Sequence, residues 1–318
     1  MKKENEWILC EVKWFVIKVL HVLTGKYYTN SERYGNNELL TREIGNCYIL
    51  KGISKGDPFA YCRFGFVEMD IMIRCQRDKL LGTHSLNRRE KTVRLFNIQG
   101  TSEKTGVYKF NTIMNEACQE ADVLGVWNNL AMGDALINTL IKDRNKKIVD
   151  AVSVEPYIFD IPWSYALRGK RVLVVSPFSE TIKLQYKNNR EKLFKNKKVL
   201  PEFELVTVDS VWYSSEDKDE RFENWFDAYE FLYNRIMSED FDIALLGCGP
   251  FGFPLAARIK RAGMQAIHMG GAVQLLFGIK GKRWDDTIGR WLYNDYWVRA
   301  PISTMPGHAE ILDGSCYW

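Results

Sequence analysis

The sequence predicts an α/β fold, a mostly parallel sheet with helices on both faces. Three observations predict it. Short, near-continuous apolar runs alternate with segments of helical spacing, the pattern of strands buried on both faces. The clearest run spans 171–175, and Ile243-Ala244-Leu245-Leu246 and Ala266-Ile267-His268-Met269 are two more. Between these last two lie Gly247, Gly249 and Gly252 in a G-x-G-x-x-G arrangement, then a helical stretch over 255–262 that Gly263 is placed to end. Such a strand–loop–helix–strand unit is Rossmann-like and binds nucleotides at the carboxyl end of its first strand.

Composition bounds the rest. The 318 residues are 46% hydrophobic and 26% charged, enough for a large core. One domain over 38–318 is expected, with two lobes divided near 168 as the alternative. Residues 1–37 stand apart as an amphipathic helix and a loop. A net charge of +4 is too mild to argue for nucleic acid. The seven cysteines (10, 47, 62, 75, 118, 248 and 316) are scattered, with no CxxC pair and no signal-peptide pattern. A reduced, cytoplasmic protein is expected. The four histidines show no zinc-binding spacing. The ten tryptophans suit sugar stacking, a membrane interface or core.

Along the chain, residues 7–23 carry Glu11, Lys13, Lys18 and His21, too many charges for a membrane span. Two readings remain: a peripheral helix at the inner face of the membrane, anchored by Trp7, Trp14 and Phe15, or a helix docked on the body. A loop is expected over 30–37 and a helix over 39–53, closed by Ser54-Lys55-Gly56-Asp57-Pro58. A strand at 59–62 runs into the loop 63–70. Helices follow over 85–96, basic in character, and 108–120. A strand at 122–127, a helix at 133–142 and a strand at 148–154 come next. The strand 171–175 runs into Ser176-Pro177-Phe178-Ser179-Glu180-Thr181, a second candidate ligand loop before a basic helix over 182–194. A strand at 203–208, an acidic loop at 214–223 and a helix at 224–237 lead to the glycine-rich unit. An aromatic-rich tail follows Trp284.

The glycines allow a tight turn and let backbone N–H groups approach a phosphate. A tight turn without a ligand is the alternative. NAD is disfavoured, because a dinucleotide site wants an acid at the end of the second strand, where His268, Met269 and Gly270 stand. Arg63 and Glu68 flank Gly65 at a strand end, where an Arg can grip phosphate and a carboxylate can take a proton. Asp70 is a second candidate acid. An internal Arg63–Glu68 ion pair is the structural alternative. Lys280 and Arg283 can neutralise a leaving diphosphate, Gln274 can bind base or sugar, and Asn294 and Trp297 can touch a sugar.

Arg63-Phe64-Gly65-x-x-Glu68 resembles the R-F-G-D-G-E signature of the GT-D type glycosyltransferases. Leu246-Gly247-Cys248-Gly249-Pro250, continuing to Ala266-Ile267-His268-Met269-Gly270, resembles that family's second signature. Together the matches span about residues 40–280. Gly271-Ala272-x-Gln274, Phe277-Gly278-x-Lys280-Gly281-x-Arg283-Trp284 and Trp297-Val298-Arg299 are similar to proteins encoded with bacterial surface-polysaccharide genes. The resemblance implies a GT-D-like transferase, with a nucleotide-diphospho sugar as donor, a UDP-sugar first among them. It implies a lipid-linked or polysaccharide acceptor. It also implies Glu68 as base or sugar ligand, with Arg63, Gly65, Gly247, Gly249, Gly252, His268, Gly270, Gly271, Gln274, Lys280 and Arg283 around the donor. The family's D-x-E motif supports a divalent metal, Mn²⁺ or Mg²⁺. Phe66 replaces its Asp here, and one carboxylate makes a thin metal site. Alternatives are a pyruvyl or phospho-sugar transferase and a non-catalytic GT-D-like protein that binds a glycan or a partner.

Overall fold

The computed structural model describes residues 2–25, 32–83, 103–141, 146–211, 221–305 and 314–318. The helix expected at 85–96 and residues 214–220 of the acidic loop expected at 214–223 lie outside these. A long N-terminal helix, α1 (Lys2–Thr24), precedes a small antiparallel pair, β1 (Arg33–Tyr34) and β2 (Asn37–Glu38), where a loop was expected. Seven further strands form one sheet. They are β3 (Phe59–Arg63), β4 (Val123–Val126), β5 (Lys147–Asp150), β6 (Arg171–Ser176), β7 (Glu204–Asp209), β8 (Ile243–Leu246) and β9 (Gln265–His268). Their order is β5-β4-β3-β9-β8-β6-β7, and every pairing is parallel. The sheet takes strands from both sides of residue 168.

The strands are apolar on both faces because both faces are covered. In β8, Ile243 and Leu245 enter one core while Ala244 and Leu246 enter the other, and β6 splits Val172 and Val174 from Leu173 and Val175 in the same way. One core receives α1, α3 (Phe66–Leu81), α4 (Glu103–Glu120), α5 (Gly133–Leu140), α7 (Trp225–Met237) and α8 (Gly252–Arg261). The other receives α2 (Arg42–Lys55), α6 (Ser179–Leu193) and α9 (Ala272–Leu276). Much of the tryptophan excess is core. Trp7, Trp163 and Trp225 are fully buried, and Trp225 stacks on Phe251 at 5.0 Å and 3°.

Local chemistry sets the boundaries that differ from expectation. The helix expected from 39 starts at Arg42, because Thr41 caps it by accepting the Ile44 N–H at 3.4 Å. Leu40 instead bridges to Val149 at the sheet edge. The strand expected to run to 154 stops at Asp150, whose carboxylate accepts the Val152 N–H at 2.8 Å and opens a 3₁₀ turn. The largest difference is α3. The reading from sequence leaves 63–70 as a loop, whereas a 16-residue helix begins at Phe66 and ends against Gly82, in the left-handed region at φ 61°.

Helix α1 is docked on the body, and Trp7 and Trp14, offered as membrane anchors, face inward. One side docks: Trp7 and Trp14 are buried, Trp14 Nε1 donates to Asp134 Oδ1 at 3.0 Å, and Lys13 Nζ pairs with Asp134 Oδ2 at 3.1 Å. Glu11 pairs with Arg77 of α3 at 2.8 Å. The other side exposes Ile8, Leu9, Val12, Phe15, Val16, Val19, Leu20 and Leu23. Among the described residues no helix is long and apolar enough to cross a membrane.

The topology locates the site. The chain leaves β6 towards β7 at the sheet edge, but leaves β8 in the opposite direction, towards β9. Neighbouring strands whose connections diverge open a crevice at their carboxyl ends.

Candidate active site

A cleft of about 320 Å³ lies along this carboxyl edge, within the size range of ligand sites. Its walls come from the ends of β3, β4, β6, β7, β8 and β9 and from residues 315–318.

The β3 end supplies Arg63, Gly65, Phe66 and Glu68. Gly65 is the N-cap of α3, and Glu68 stands three residues beyond it, where a Glu side chain reaches back over the first turn. A Cβ on Gly65 would lie 1.9 Å from Glu68 Oε2. A side chain at position 65 would displace the Glu68 carboxylate from this place. The spacing Gly65-x-x-Glu68 is one piece of helix-capping geometry that leaves a carboxylate at the cleft. Arg63 is mostly buried. Its Nη1 lies 3.3 Å from Glu155 Oε1, and its Cζ lies 5.2 Å from the centre of the Trp127 ring. Part of its charge is thus matched within the protein.

The three glycines of the loop after β8 do different work. Gly249 has φ 54°, a conformation glycine adopts without steric cost, and faces open space. Gly247 lets the chain pass Val273 and the Gly270 carbonyl, which a Cβ would meet at 2.9 and 3.1 Å. Gly252 lies outside the cleft lining, which corrects its assignment to the ligand. A Cβ there would sit 2.3 Å from the His268 ring, so this glycine packs α8 against β9. Pro250 lines the loop without an N–H and leaves it one donor fewer.

The β9 end brings His268, Gly270, Gly271 and Gln274 to the cleft. His268 is 5% exposed, and burial, reinforced by the Arg63 charge, pushes its pKa down to about 3. It is neutral near pH 7 and adds no cation for a phosphate. Gly270, at φ 58°, sits beside Arg63 Nη2 and His268 Nε2. Gly271 gives room to Tyr317 and Trp284. Gln274 is 2% exposed, and its Nε2 donates to the carbonyls of Lys280 at 2.9 Å and Tyr317 at 2.7 Å. Its amide nitrogen therefore holds the tail, and its buried Oε1 has no partner among the described residues. Arg283 lines the cleft, with Nη1 donating to Tyr317 Oη at 2.9 Å.

Four further candidate residues lie outside the cleft lining. Asp70 pairs with Arg74 at 2.9 Å and does not line the cleft. Lys280, on a short strand β10 (Ile279–Lys280) paired with β11 (Val298–Arg299), lies outside the lining with Nζ 5.6 Å from the Tyr293 ring. Asn294 and Trp297 are turned inward and donate to the Leu193 carbonyl at 3.1 and 3.2 Å. The sequence reading missed Trp127, Ser210 and the aromatic tail residues Tyr317 and Trp318 as cleft residues. The aromatic density of the tail signalled Tyr317 and Trp318, and nothing local signalled Trp127 or Ser210. Among the described residues no three His, Cys, Asp or Glu side chains converge, and Glu68 is the one acid lining the cleft. One carboxylate among the described lining residues makes a thin donor set for a divalent ion.

No family model matches the sequence, and no curated protein matches it. Two solved structures are similar. One is a selenomethionine-substituted structure of domain of unknown function 1792, at 16% identity and TM-score 0.43, with 76% of this chain and 80% of that chain covered. The other is described with the words "the highly conserved domain of unknown function 1792 has a distinct glycosyltransferase fold". It is 15% identical at TM-score 0.37, covering 75% of this chain and 80% of that one. Below a TM-score of 0.5 such likeness assigns no function, and the cleft's own chemistry carries the reading that follows.

The buried histidine has a measurable signature. An unfolded chain takes up this proton near pH 6.5, roughly the ordinary value, whereas folded His268 resists it down to about 3. Between those limits the unfolded state binds the extra proton, so stability falls as pH drops, by at most about 1.4 kcal/mol per unit. His268→Gln removes this loss. In urea unfolding at a series of pH values, the variant gains on the natural chain steadily from pH 6.5 to 4. A constant difference would mean that His268 titrates normally.

Proposed function

We propose that the chain is a glycosyltransferase of GT-D-like type. It moves a sugar from a nucleoside-diphospho sugar, a UDP-sugar first among candidates, to a lipid-linked or polysaccharide acceptor in bacterial surface-glycan synthesis. One observation carries this reading: Arg63, Glu68, the Gly247–Gly249 turn, Gly270 and Arg283 meet in one cleft at the carboxyl edge of the sheet. Anion-binding groups and one carboxylate in a shared cleft suit transfer from a diphosphate leaving group.

In the reaction the acceptor hydroxyl oxygen attacks the anomeric carbon. The bond from that carbon to the diphosphate oxygen breaks, and its electron pair leaves with the diphosphate. Glu68 takes the acceptor's proton. Arg63 and Arg283 offset the charge gathering on the diphosphate, since the Gly247 and Gly270 N–H groups donate to the Val175 and Leu246 carbonyls. A non-catalytic, glycan- or partner-binding role is the second reading. It is favoured by the pairing of Arg63 with Glu155 and by Phe66 at the signature's acidic position.

The apolar side of α1 supports peripheral contact with the inner membrane face, where a lipid-linked acceptor is presented. Co-sedimentation with anionic phospholipid vesicles is expected, and Leu9→Glu with Val16→Glu abolishes it. A chain that dimerises through α1 and ignores vesicles overturns this contact.

The reading itself is tested by thermal shift with a panel of nucleoside diphosphates and their sugars, each with Mn²⁺ and with EDTA. A ligand that binds the native state alone raises Tm. A shift that persists in EDTA is expected, and no shift with any nucleotide favours the non-catalytic reading. Glu68→Gln keeps the shift and lowers transfer about 100-fold or more, the usual worth of a general base. Full transfer in that variant removes Glu68 as base.

A further inference from the structure

The cleft is not symmetrical along its length. At the β3–β4 end, Phe66 presents a large ring that is 45% exposed. It stacks on Trp127, with centroids 4.9 Å apart and planes 21° apart. Trp127 is fixed in turn. Its Nε1 donates to the Phe64 carbonyl at 2.6 Å, and Arg63 Cζ lies 5.2 Å from its ring centre. Phe66 is thus the outermost layer of a pinned stack and cannot turn inward without breaking it. Glu68 lines the same end, two residues further along the first turn of α3.

The middle of the cleft is different. There Arg63, whose guanidinium suits anionic oxygen, meets Gly270 and the turn at Gly247 and Gly249. At the β6 end, Phe178 meets Trp318 edge to face at 5.4 Å, with Ser176 and Ser210 alongside. Between β4 and β6 lie four strand spacings, roughly 19 Å in total. An extended nucleoside-diphospho sugar is of similar length.

We infer that the donor lies across the strand ends with its sugar ring on Phe66 and its base at the Phe178–Trp318 end. This rests on the glycosyltransferase reading. The chemistry at the Phe66 end selects a pyranose. Such a ring offers an apolar C–H face to an aromatic surface and hydroxyls at its rim to a carboxylate. A diphosphate would be repelled by Glu68 and gains nothing from an aromatic face. An acid at position 66 would hold a cation beside the diphosphate, whereas the phenyl ring contributes affinity to the sugar itself.

The experiment is isothermal titration of the natural chain, Phe66→Ala, Phe66→Tyr and Trp318→Ala. The titrants are UDP-glucose, UDP-galactose, UDP-N-acetylglucosamine and UDP. The best-bound sugar nucleotide is compared with UDP. For Phe66→Ala the Kd of the sugar nucleotide is expected to rise about tenfold, the loss of a stacking contact, while that of UDP stays unchanged. Phe66→Tyr keeps both affinities and guards against a folding artefact. Trp318→Ala weakens UDP and sugar nucleotide alike. An equal loss for both ligands in Phe66→Ala puts the base on Phe66 and overturns the direction. No loss for either overturns the contact. If the natural chain binds neither UDP nor any of the sugars, the UDP-sugar reading falls first and this inference with it.

Discussion

Every strand of the main sheet runs the same way, and that single constraint places everything else. A parallel pair cannot be joined by a tight turn, so each strand needs a crossover that returns over a face of the sheet. The crossovers cover both faces, which is why the strands are short and almost wholly apolar. They also gather all the carboxyl ends on one edge. Arg63, Trp127, Ser176, Gly247 and His268 are far apart in sequence, yet they meet because each ends, or directly follows, a strand of the same direction.

Glycine chemistry then decides what that edge can hold. Gly65, Gly252 and Gly271 are there for neighbours: the Glu68 carboxylate, the His268 ring and the side chains of Tyr317 and Trp284. Gly249 and Gly270 are there for their own backbone, with φ 54° and 58°. The two groups look alike in sequence. The first group tells which side chains are pressed against the main chain, and the second marks where the backbone itself turns at the cleft.

This explains how far the sequence could be read. The strands at β6, β8 and β9 were legible because a strand buried on both faces leaves a compact apolar run bounded by glycine or charge. The glycine loop and the Gly65-x-x-Glu68 turn were legible for a similar reason, since both are local, whereas the ion pair of Arg63 with Glu155 joins distant segments. Helix α3 was not, because Phe66, Val67, Glu68 and Asp70 read equally well as a ligand loop. Its helical spacing emerges only with Met69, Met72 and Gln76. Asp70 and Lys280 passed as site residues on charge alone. Direction decides such cases, and Arg74 and Tyr293 hold them elsewhere. The tail's place in the cleft depends on Gln274 and Arg283 gripping Tyr317, contacts over long sequence separation that no local pattern announces.

The pairing at the centre of the sheet has a further consequence, for the order of folding. β3 lies between β4 and β9, and its partner residues in β9 are distant: Phe59 meets Gln265 and Tyr61 meets Ile267. β3, β4 and β5 are made before β9, so one side of β3 has no native partner strand until β9 is made. That edge is apolar and has no partner until β9 emerges. Contacts of such separation slow folding, and an open apolar strand edge is where chains associate wrongly. The middle of the sheet, which becomes the floor of the cleft, is thus a seam that cannot close until every strand of the sheet has been made.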